Sequence, residues 1–525
     1  MKTNRRDFIK TAGISSIGFG LMPYFDVLGS DFNFFSDTIL SRKSPESQGV
    51  SSKGLLDFLK AAKESGLEWH SFMLVRHGHV VAEGWWKPFD ASFKHTLYSL
   101  SKSFTSSAIG FLVKEGKITV NDSVISFFKE DTPQSPSGNL KAMKIKHLLT
   151  MNTGHDVDTL PPMRAGDKHW TKTFLAQDVK HEPSTHFLYN TGATYMLGAI
   201  VHKVTGQKLE DYLAPRLFQP LSITGYDWET SPQGLNTAGY GLRIKTEDIA
   251  KFGQFYLQKG KWNGKQLLPE AWIDEATSKQ TTSQTGDNDW SQGYGYQFWR
   301  CKPGFYRGDG AYGQFCMVMP EQDAVLAMTC ESWNLQKTMD IAYQTILPAI
   351  SKDALAENPT DLAQLKKEIK DLSLPVPKGK TTSTLHAKYS DKWFNVEKNS
   401  YGITQVGFGL FDDTGVLRIN DGKGGLHKIS FGWEQWKVNK NGSKNFFPVE
   451  GRTHVPSKIA ATATWLNTNT LQINLKFVEA IHGDKLTCVF EGDKVTILFM
   501  NSISENTKNT LEKRESLRGT LKIGS

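Results

Sequence analysis

Ser99 and Lys102 lie three residues apart, and their side chains are of the types needed for nucleophilic chemistry. Residues three apart on an α-helix share a face, so the hydroxyl and the amine would meet. A serine hydroxyl is a poor nucleophile until a base takes its proton, and an amine whose pKa is lowered by burial can be that base. Backbone N–H groups at the helix start would polarise a carbonyl under attack. The pair therefore predicts nucleophilic attack by Ser99.

The element that must position this pair is a helix that begins at the motif. Apolar residues recur at helical spacing after Ser99, and Gly116 is a natural stop; the apolar stripe comprises Leu100, Phe104, Ala108, Phe111 and Leu112. Ser-x-x-Lys alone is short and also occurs at ordinary solvated helix starts. Its meaning therefore depends on the surrounding sequence.

That surrounding sequence carries a family resemblance. Residues 97–106, followed by Ile109-Gly110 and Glu115-Gly116-Lys117, resemble the nucleophile helix of the serine β-lactamase and penicillin-binding-protein superfamily. The resemblance is strongest to the class C-like branch, which includes esterases and amide hydrolases, and runs from about residue 40 to 350. It implies an α+β fold, with an antiparallel sheet flanked by helices, a helical lobe and a cleft between them. It makes Ser99 the nucleophile and Lys102 the general base.

A second element of the superfamily, Tyr-x-Asn before a helix, matches residues 187–198. Tyr189 takes the place of the family tyrosine, which relays a proton to the leaving group. The third position is Thr191 rather than Asn, and Asn190 stands one place early, so either residue is a candidate for the contacts that asparagine makes with the lysine and the substrate. A lone tyrosine before a helix also fits core packing with a wet hydroxyl.

The third element is expected on a strand within residues 305–314, where the superfamily has Lys-Thr-Gly. The best match is Gly308-Asp309-Gly310, with one residue of ambiguity, and a plain Gly-rich turn is the alternative. The backbone N–H of Ala311 is a candidate to complete an oxyanion hole with that of Ser99. In penicillin-recognising relatives the lysine supplies a positive charge for a substrate carboxylate. This chain has Asp309 instead, with Arg307 on the same strand face, so we expect a preference for neutral esters or amides.

Other polar residues are expected at the edge of the cleft or outside it. Tyr240 is predicted to line the cleft, in a segment, residues 239–265, that is otherwise assigned to the scaffold. His77 and His79 are expected in an exposed turn, since no third metal ligand is within reach by sequence. His155 fits a solvated loop histidine better than a cleft residue.

The composition is typical of a soluble globular protein. The chain has 525 residues, 38% hydrophobic and 22% charged, which favours two or three domains. The net charge of +8 is modest and not clustered, so it does not indicate a nucleic-acid partner. Four widely spread cysteines lack metal-like spacing and are expected as free, buried thiols. The sequence implies neither a metal nor a cofactor.

The first 29 residues are predicted to be a twin-arginine-type export signal. Residues 4–10 are close to the twin-arginine pattern, and a weakly hydrophobic run rich in Gly and Ser follows at residues 11–22. This run is too short and too polar to span a membrane permanently. We expect cleavage near Gly29, a periplasmic or secreted mature protein and no stable membrane anchor. An ordinary basic tail is the alternative.

The rest of the chain is predicted to form three further units. Residues 30–350 are the predicted hydrolase domain, and residues 351–380 hold a helix at 360–372 and a linker, rich in Pro and Gly, at 374–380. Residues 381–525 alternate apolar and polar side chains between turns, which predicts a small all-β barrel or sandwich. We find no catalytic constellation in this last unit. It is expected to trim access to the cleft, to bind a surface glycan or only to stabilise the protein.

The residues and the resemblance together predict a periplasmic serine hydrolase that cleaves an ester or amide through an acyl-enzyme on Ser99. The expected substrate is a small ester, an amide or a molecule derived from the cell wall or a glycan. One alternative is a DD-peptidase or a true β-lactamase. The other is a catalytically silent member that binds cell-wall or glycan fragments.

Overall fold

The structure, a computed structural model, describes residues 40–166, 168–439, 458–507 and 511–522. The predicted export signal at residues 1–29 lies outside the described residues and stays a prediction. Among the helices that the structure describes, none is long and apolar enough to cross a membrane.

The N-terminal domain, residues 40–350, contains the central sheet. Its described strands are β1 (Glu68–Arg76), β2 (His79–Trp85), β3 (His95–Thr96), β4 (Asp227–Trp228), β5 (Leu242–Ile244), β6 (Lys261–Trp262), β7 (Lys265–Gln266), β8 (Trp299–Arg300), β9 (Tyr306–Gly310), β10 (Gln314–Met319) and β11 (Ala324–Glu331). Six of these described strands form one antiparallel sheet in the order β2-β1-β11-β10-β9-β8. The shorter strands form a three-stranded sheet, β3-β5-β4, and a β6–β7 ribbon.

Helices cover both faces of this sheet and form a lobe beside it. The described α-helices are α1 (Ser52–Glu64), α2 (Ser101–Lys114), α3 (Gly138–Ala142), α4 (Ile145–Leu149), α5 (Leu160–Ala165), α6 (Trp170–Ala176), α7 (Thr191–Thr205), α8 (Leu209–Leu213), α9 (Thr246–Leu257), α10 (Glu270–Thr277) and α11 (Leu335–Ala349). Short 3-10 turns lie at Glu46–Gln48, Tyr98–Leu100 and Val124–Phe127, and a π turn at Ala214–Phe218.

Side chains alternate along the strands of the central sheet, so its two faces contribute to two separate cores. On β11, Val325 and Ala327 join the core that contains residues of α2 and α9. Leu326 and Met328 of the same strand face the core that contains residues of α1 and α11. The prediction of an antiparallel sheet flanked by helices is confirmed.

The starts and ends of the two helices that carry the candidate site are explained by the residues found there. The 3-10 turn Tyr98–Leu100 leads into α2, and Gly116, with a φ of +65°, follows its end. α7 begins after Asn190, whose side chain accepts the Ala193 N–H, and ends at Gly206 with a φ of +72°. A capping side chain satisfies a free N–H at the helix start, and glycine adopts the left-handed conformation after the helix end at little cost.

The C-terminal domain is a closed barrel, which decides between the two predicted all-β forms. Its described strands are β12 (Lys392–Val396), β13 (Gln405–Leu410), β14 (Thr414–Asn420), β15 (Leu426–Trp433), β16 (Lys437–Asn439), β17 (Ile459–Trp465), β18 (Thr470–Phe477), β19 (Gly483–Glu491), β20 (Lys494–Asn501) and β21 (Leu517–Leu521). Nine described strands close in the order β15-β14-β13-β12-β21-β20-β19-β18-β17, through a parallel pairing of β15 with β17. Alternate side chains of these strands fill the interior, among them Trp465 and Phe490.

The predicted linker at residues 374–380 is packed between the two domains. Leu374 is buried; its N–H donates to the Lys87 carbonyl at 2.7 Å, and its own carbonyl accepts from Trp436 Nε1 at 3.3 Å. Lys380 pairs with Trp465 of the barrel. The helix predicted before it is α12 (Pro359–Lys370), and two short helices, α13 (His386–Tyr389) and α14 (Ser502–Asn506), lie in the barrel domain. Although its composition disfavours helix and strand, this segment is therefore held by contacts with both domains.

The cysteines are as the sequence predicts. Cys316 on β10 and Cys330 on β11 flank the hairpin but pair with other residues, Ala327 and Trp69. All four cysteines of the chain are buried free thiols.

Candidate active site

The predicted nucleophile and base meet at the start of α2. Ser99 lies in the 3-10 turn Tyr98–Leu100, which we call the nucleophile turn, and Lys102 lies in the first turn of α2. Lys102 Nζ is 3.0 Å from Ser99 Oγ. The lysine side chain is buried, whereas Ser99 is partly exposed. An approaching carbonyl can therefore reach the serine while the amine stays shielded from water.

Burial changes the acid–base behaviour of Lys102. It lowers the pKa of the ammonium group to about 7, although the carboxylates of Asp158 and Asp309 act in the opposite direction. Nζ also lies 2.8 Å from the Gly239 carbonyl oxygen and 3.5 Å from Thr191 Oγ1. A large fraction of this amine is neutral near pH 7, so it can accept the Ser99 proton.

Tyr189 lies against the same pair. Its ring centroid is 4.9 Å from Lys102 Nζ, and the ring stacks on Trp299 at 5.5 Å. Burial raises the pKa of the phenol, and a side-chain hydrogen bond with Ser99 offsets only part of that rise. The phenol therefore stays protonated at neutral pH. This difference in pKa favours Lys102 over Tyr189 as a proton acceptor near neutral pH.

The structure separates the two candidates for the family asparagine. Asn190 is fully buried and points away from Lys102, because its Oδ1 accepts from Thr159 Oγ1 at 2.7 Å and caps α7. Thr191, the first residue of α7, brings its hydroxyl to Lys102. The local requirement for a helix cap therefore uses Asn190, and Thr191 faces the site.

The third predicted element is β9, and its two glycines let it approach the nucleophile turn. A Cβ atom at Gly310 would overlap the backbone carbonyl oxygen of Leu97, and one at Gly308 would overlap the Leu100 side chain. Such contacts are possible only without a side chain. Ala311 follows the strand and is exposed, so the end of β9 lies beside the turn that carries Ser99.

Arg307 and Asp309 form a buried ion pair on this strand. Arg307 Nε and Nη2 lie 3.0 and 2.9 Å from Asp309 Oδ2, and neither side chain is more than 6% exposed. The two residues share a strand face, as the alternation along the strand predicts. Arg307 Nη1 also lies 3.9 Å from the buried carboxylate of Asp289, so the guanidinium is shared between two acidic side chains.

The sequence also predicts environments for Tyr240 and three histidines. The prediction that Tyr240 lines the cleft stays a prediction. Tyr240 is partly buried, and the Arg164 guanidinium lies 4.9 Å from its ring centroid. His77 is an exposed turn residue, as expected, whereas His79 is partly buried, begins β2 and contacts Ser41 Oγ at 2.5 Å. The prediction for His155 is wrong. It is 2% exposed, Nδ1 lies 2.8 Å from Thr153 Oγ1, and burial lowers its pKa to about 4, so it is a neutral core residue.

Sequence reasoning missed two groups that act on Lys102. Asp158 Oδ1 accepts the Thr191 N–H at 2.9 Å, and this carboxylate raises the pKa of Lys102. The Gly239 carbonyl is the closest acceptor of the lysine, although its segment was assigned to the scaffold. An acidic residue ahead of a helix start was the only available signal for Asp158, and a backbone carbonyl leaves no signal in sequence.

Two described clusters have the side chains to bind a metal ion, Asp156 with His181 and His186, and Glu68 with His70 and Glu331. In the second cluster Lys476 Nζ lies between the carboxylates, 2.6 Å from Glu68 and 2.9 Å from Glu331. This ammonium already supplies the positive charge, so the cluster does not fit a cation. In the first cluster Asp156 is exposed and the two histidines are partly buried.

This α+β fold, with Ser-x-x-Lys at the head of a buried helix, is that of the β-lactamase-type serine hydrolases. The Beta-lactamase family model matches residues 62–349, and the chain belongs to this family.

Comparisons with known proteins found the following similarities. The chain is 24% identical over 284 residues to 6-aminohexanoate-dimer hydrolase of Paenarthrobacter ureafaciens, covering 50% of this chain and 72% of that protein. It is 27% identical over 168 residues to protein flp of Staphylococcus aureus strain N315, covering 30% of this chain and 33% of that protein. The solved structure of a putative 6-aminohexanoate-dimer hydrolase from Bacillus anthracis is similar with a TM-score of 0.49 and 20% identity, covering 63% of this chain and 89% of the other. The chain thus spans only a third of the length of protein flp.

The lowered pKa of Lys102 predicts a pH profile. Only the neutral amine accepts a proton, so kcat/KM should rise about tenfold per pH unit below the pKa and level off above it. The midpoint should lie near pH 7. Steady-state rates from about pH 5 to 9, with a substrate that does not ionise in that range, would measure it.

A variant distinguishes Lys102 from other titrating groups. Asp158 raises the pKa of Lys102, so Asp158→Asn, which keeps an acceptor oxygen for the Thr191 N–H, should move the midpoint to lower pH. A wild-type profile that stays flat across the range, or a midpoint that does not move in the variant, would contradict the assignment of the base.

Proposed function

We propose that this chain is an exported serine hydrolase that cleaves a neutral ester or amide through an acyl-enzyme on Ser99. The observation that carries the proposal is the 3.0 Å contact between Ser99 Oγ and a buried Lys102 whose pKa is lowered to about 7. Membership of a family of hydrolases supports the reaction class. The proposed periplasmic location rests on the twin-arginine pattern of residues 4–10 alone.

The side chains divide the work of acylation between them. Lys102 takes the proton of Ser99, and the serine oxygen attacks the carbonyl carbon of the substrate. The backbone N–H groups of Ser99 and Ala311 stabilise the charge that develops on the carbonyl oxygen. Tyr189 donates a proton to the leaving alcohol or amine and regains one from Lys102. A water molecule then gives a proton to Lys102 and attacks the acyl carbonyl carbon; the bond to Ser99 breaks, and Lys102 returns the proton to the serine oxygen.

The charge at the third element supports a neutral substrate. The carboxylate of Asp309 is held by Arg307, so this strand offers no free cation to a substrate carboxylate. An unpaired ammonium group at this position would attract such a carboxylate by several kcal/mol before screening, at about 4 Å and an effective dielectric of about 20. Penicillins and peptides with a free carboxylate therefore lack this attraction here.

A side-by-side assay tests the proposal. A neutral short-chain aryl ester should release its phenol in a burst of about one equivalent per active site if deacylation is slow. Intact-mass and peptide analysis should find the acyl group on Ser99. A penicillin or cephalosporin on the same preparation should show a lower kcat/KM than the ester.

The outcomes separate the alternatives. Lactam turnover equal to or faster than ester turnover would favour a β-lactamase, and release of D-alanine from a cell-wall peptide would favour a DD-peptidase. A folded protein that takes no acyl group on Ser99 from any of these substrates, or from a reactive serine probe, would support a catalytically silent binder and overturn the proposal.

A further inference from the structure

The C-terminal barrel reaches the nucleophile turn. Residues 478–482 connect β18 to β19 and lie against the N-terminal domain. The Glu479 carbonyl accepts from Arg243 Nη1 at 3.3 Å, and His482 Nε2 lies 3.0 Å from the Tyr98 hydroxyl. Tyr98 is the residue immediately before Ser99. The barrel thus contacts the nucleophile turn through the side chain of Tyr98.

A buried charge cluster fixes His482 across the domain boundary. Lys476 of β18 lies between the carboxylates of Glu68 on β1 and Glu331 on β11. Glu331 Oε1 is 2.6 Å from His482 Nδ1, and both side chains are 3% exposed. The Lys476 ammonium lowers the pKa of Glu331, so the carboxylate is ionised and can only accept.

This cluster fixes the orientation of the imidazole ring. The ionised carboxylate of Glu331 can only accept, so His482 Nδ1 donates to it, and Nε2 then lies 3.0 Å from the Tyr98 hydroxyl. The Tyr98 side chain is therefore held at its far end by the barrel, while its backbone is continuous with Ser99.

The backbone of Tyr98 needs such support. Its φ is +47°, in the left-handed region that a tyrosine rarely adopts. Strained conformations persist only where the surroundings hold them, and they are frequent at functional sites. Packing of Tyr98 against Tyr312, at 5.3 Å between ring centroids, adds to the contact with His482. The strain and its restraint occur one residue before the predicted nucleophile.

We propose that His482 is a positioning residue of the hydrolase site, supplied by the barrel: through the Tyr98 hydroxyl it holds the nucleophile turn in the conformation that presents Ser99 Oγ and its N–H to the substrate. The barrel then contributes a residue that supports the active site. The inference rests on the proposed function, because it concerns the rate at which Ser99 is acylated.

The test compares acylation rates of matched variants in the full chain. Tyr98→Phe removes only the hydroxyl, and His482→Ala removes its hydrogen-bond partner. Each should lower kcat and the rate of Ser99 acylation by roughly ten- to a hundredfold with KM little changed, since small displacements of a reacting group cost this much. The double variant should be no slower than the slower single variant, because both remove one contact. His482→Gln, with an amide near the place of Nε2, should recover part of the loss.

The control is a second barrel histidine. His386 accepts from Trp465 Nε1 at 2.7 Å inside the barrel, so His386→Ala should lower the melting temperature without changing kcat. If Tyr98→Phe and His482→Ala acylate Ser99 at the wild-type rate, the inference is overturned while the proposed function stands. If rates fall in all three variants in proportion to the loss of melting temperature, the role of His482 is only structural and the inference is equally overturned. A wild-type chain that is never acylated marks failure of the proposed function itself.

Discussion

Ser99→Ala and Lys102→Ala should each lower the turnover of a neutral ester by at least about three orders of magnitude, and the double variant should be little worse than either single variant. Ser99 Oγ and Lys102 Nζ are 3.0 Å apart and act as one unit, so removing either group removes the same step. Steady-state kinetics of the three variants, with melting temperatures to show that each is folded, measure this.

The control for this prediction lies on the same helix. Ser106 is a buried residue of α2 whose hydroxyl has no hydrogen-bond partner within the part of the chain that the structure describes. Ser106→Ala makes the same chemical change as Ser99→Ala and should leave turnover within about twofold, since an unpaired buried hydroxyl contributes little. Near wild-type turnover in Lys102→Ala, or a double variant far slower than both single variants, would contradict the Ser–Lys pairing.

The elements near the site are predictable because their periodicity is local. The apolar stripe of α2, the glycine that follows α7 and the strict alternation along β18 all follow from side chains within a few residues of each other. The choice between barrel and sandwich was open because it depends on the pairing of β15 with β17, two strands separated in sequence. Residues 374–380 read as a linker because composition reports propensity, whereas burial of Leu374 depends on partners from both domains.

Part of the candidate site is also predictable from local sequence, and part depends on contacts between distant residues. The types and spacing of Ser99, Lys102 and Tyr189 are visible in sequence, and the structure brings these side chains together. The question of Asn190 or Thr191 could not be decided by motif matching, because it depends on which residue caps α7. His482 could not be found at all, since it lies 384 positions from Tyr98 and acts only after two domains have packed.

The approach of β9 to the nucleophile turn yields the second large effect. Gly310→Ala should lower kcat/KM by about a hundredfold or more, because small misplacements of catalytic groups are costly. The new Cβ would overlap the Leu97 carbonyl oxygen, which is backbone and cannot rotate away. The strand end with Ala311 must then move off the turn that carries Ser99, and the two proposed oxyanion donors separate. Kinetics with the neutral ester, together with melting temperature, measure both consequences.

Two other glycines calibrate this effect. A Cβ at Gly308 would meet the Leu100 and Ser103 side chains, and one at Gly138 would meet nothing within 4 Å. Gly308→Ala should therefore be intermediate, since side chains can shift, and Gly138→Ala should be close to wild type. This order follows only if close backbone approach determines the rate. If Gly310→Ala is folded and fully active, the end of β9 does not help to stabilise the oxyanion, and the second donor must come from another element.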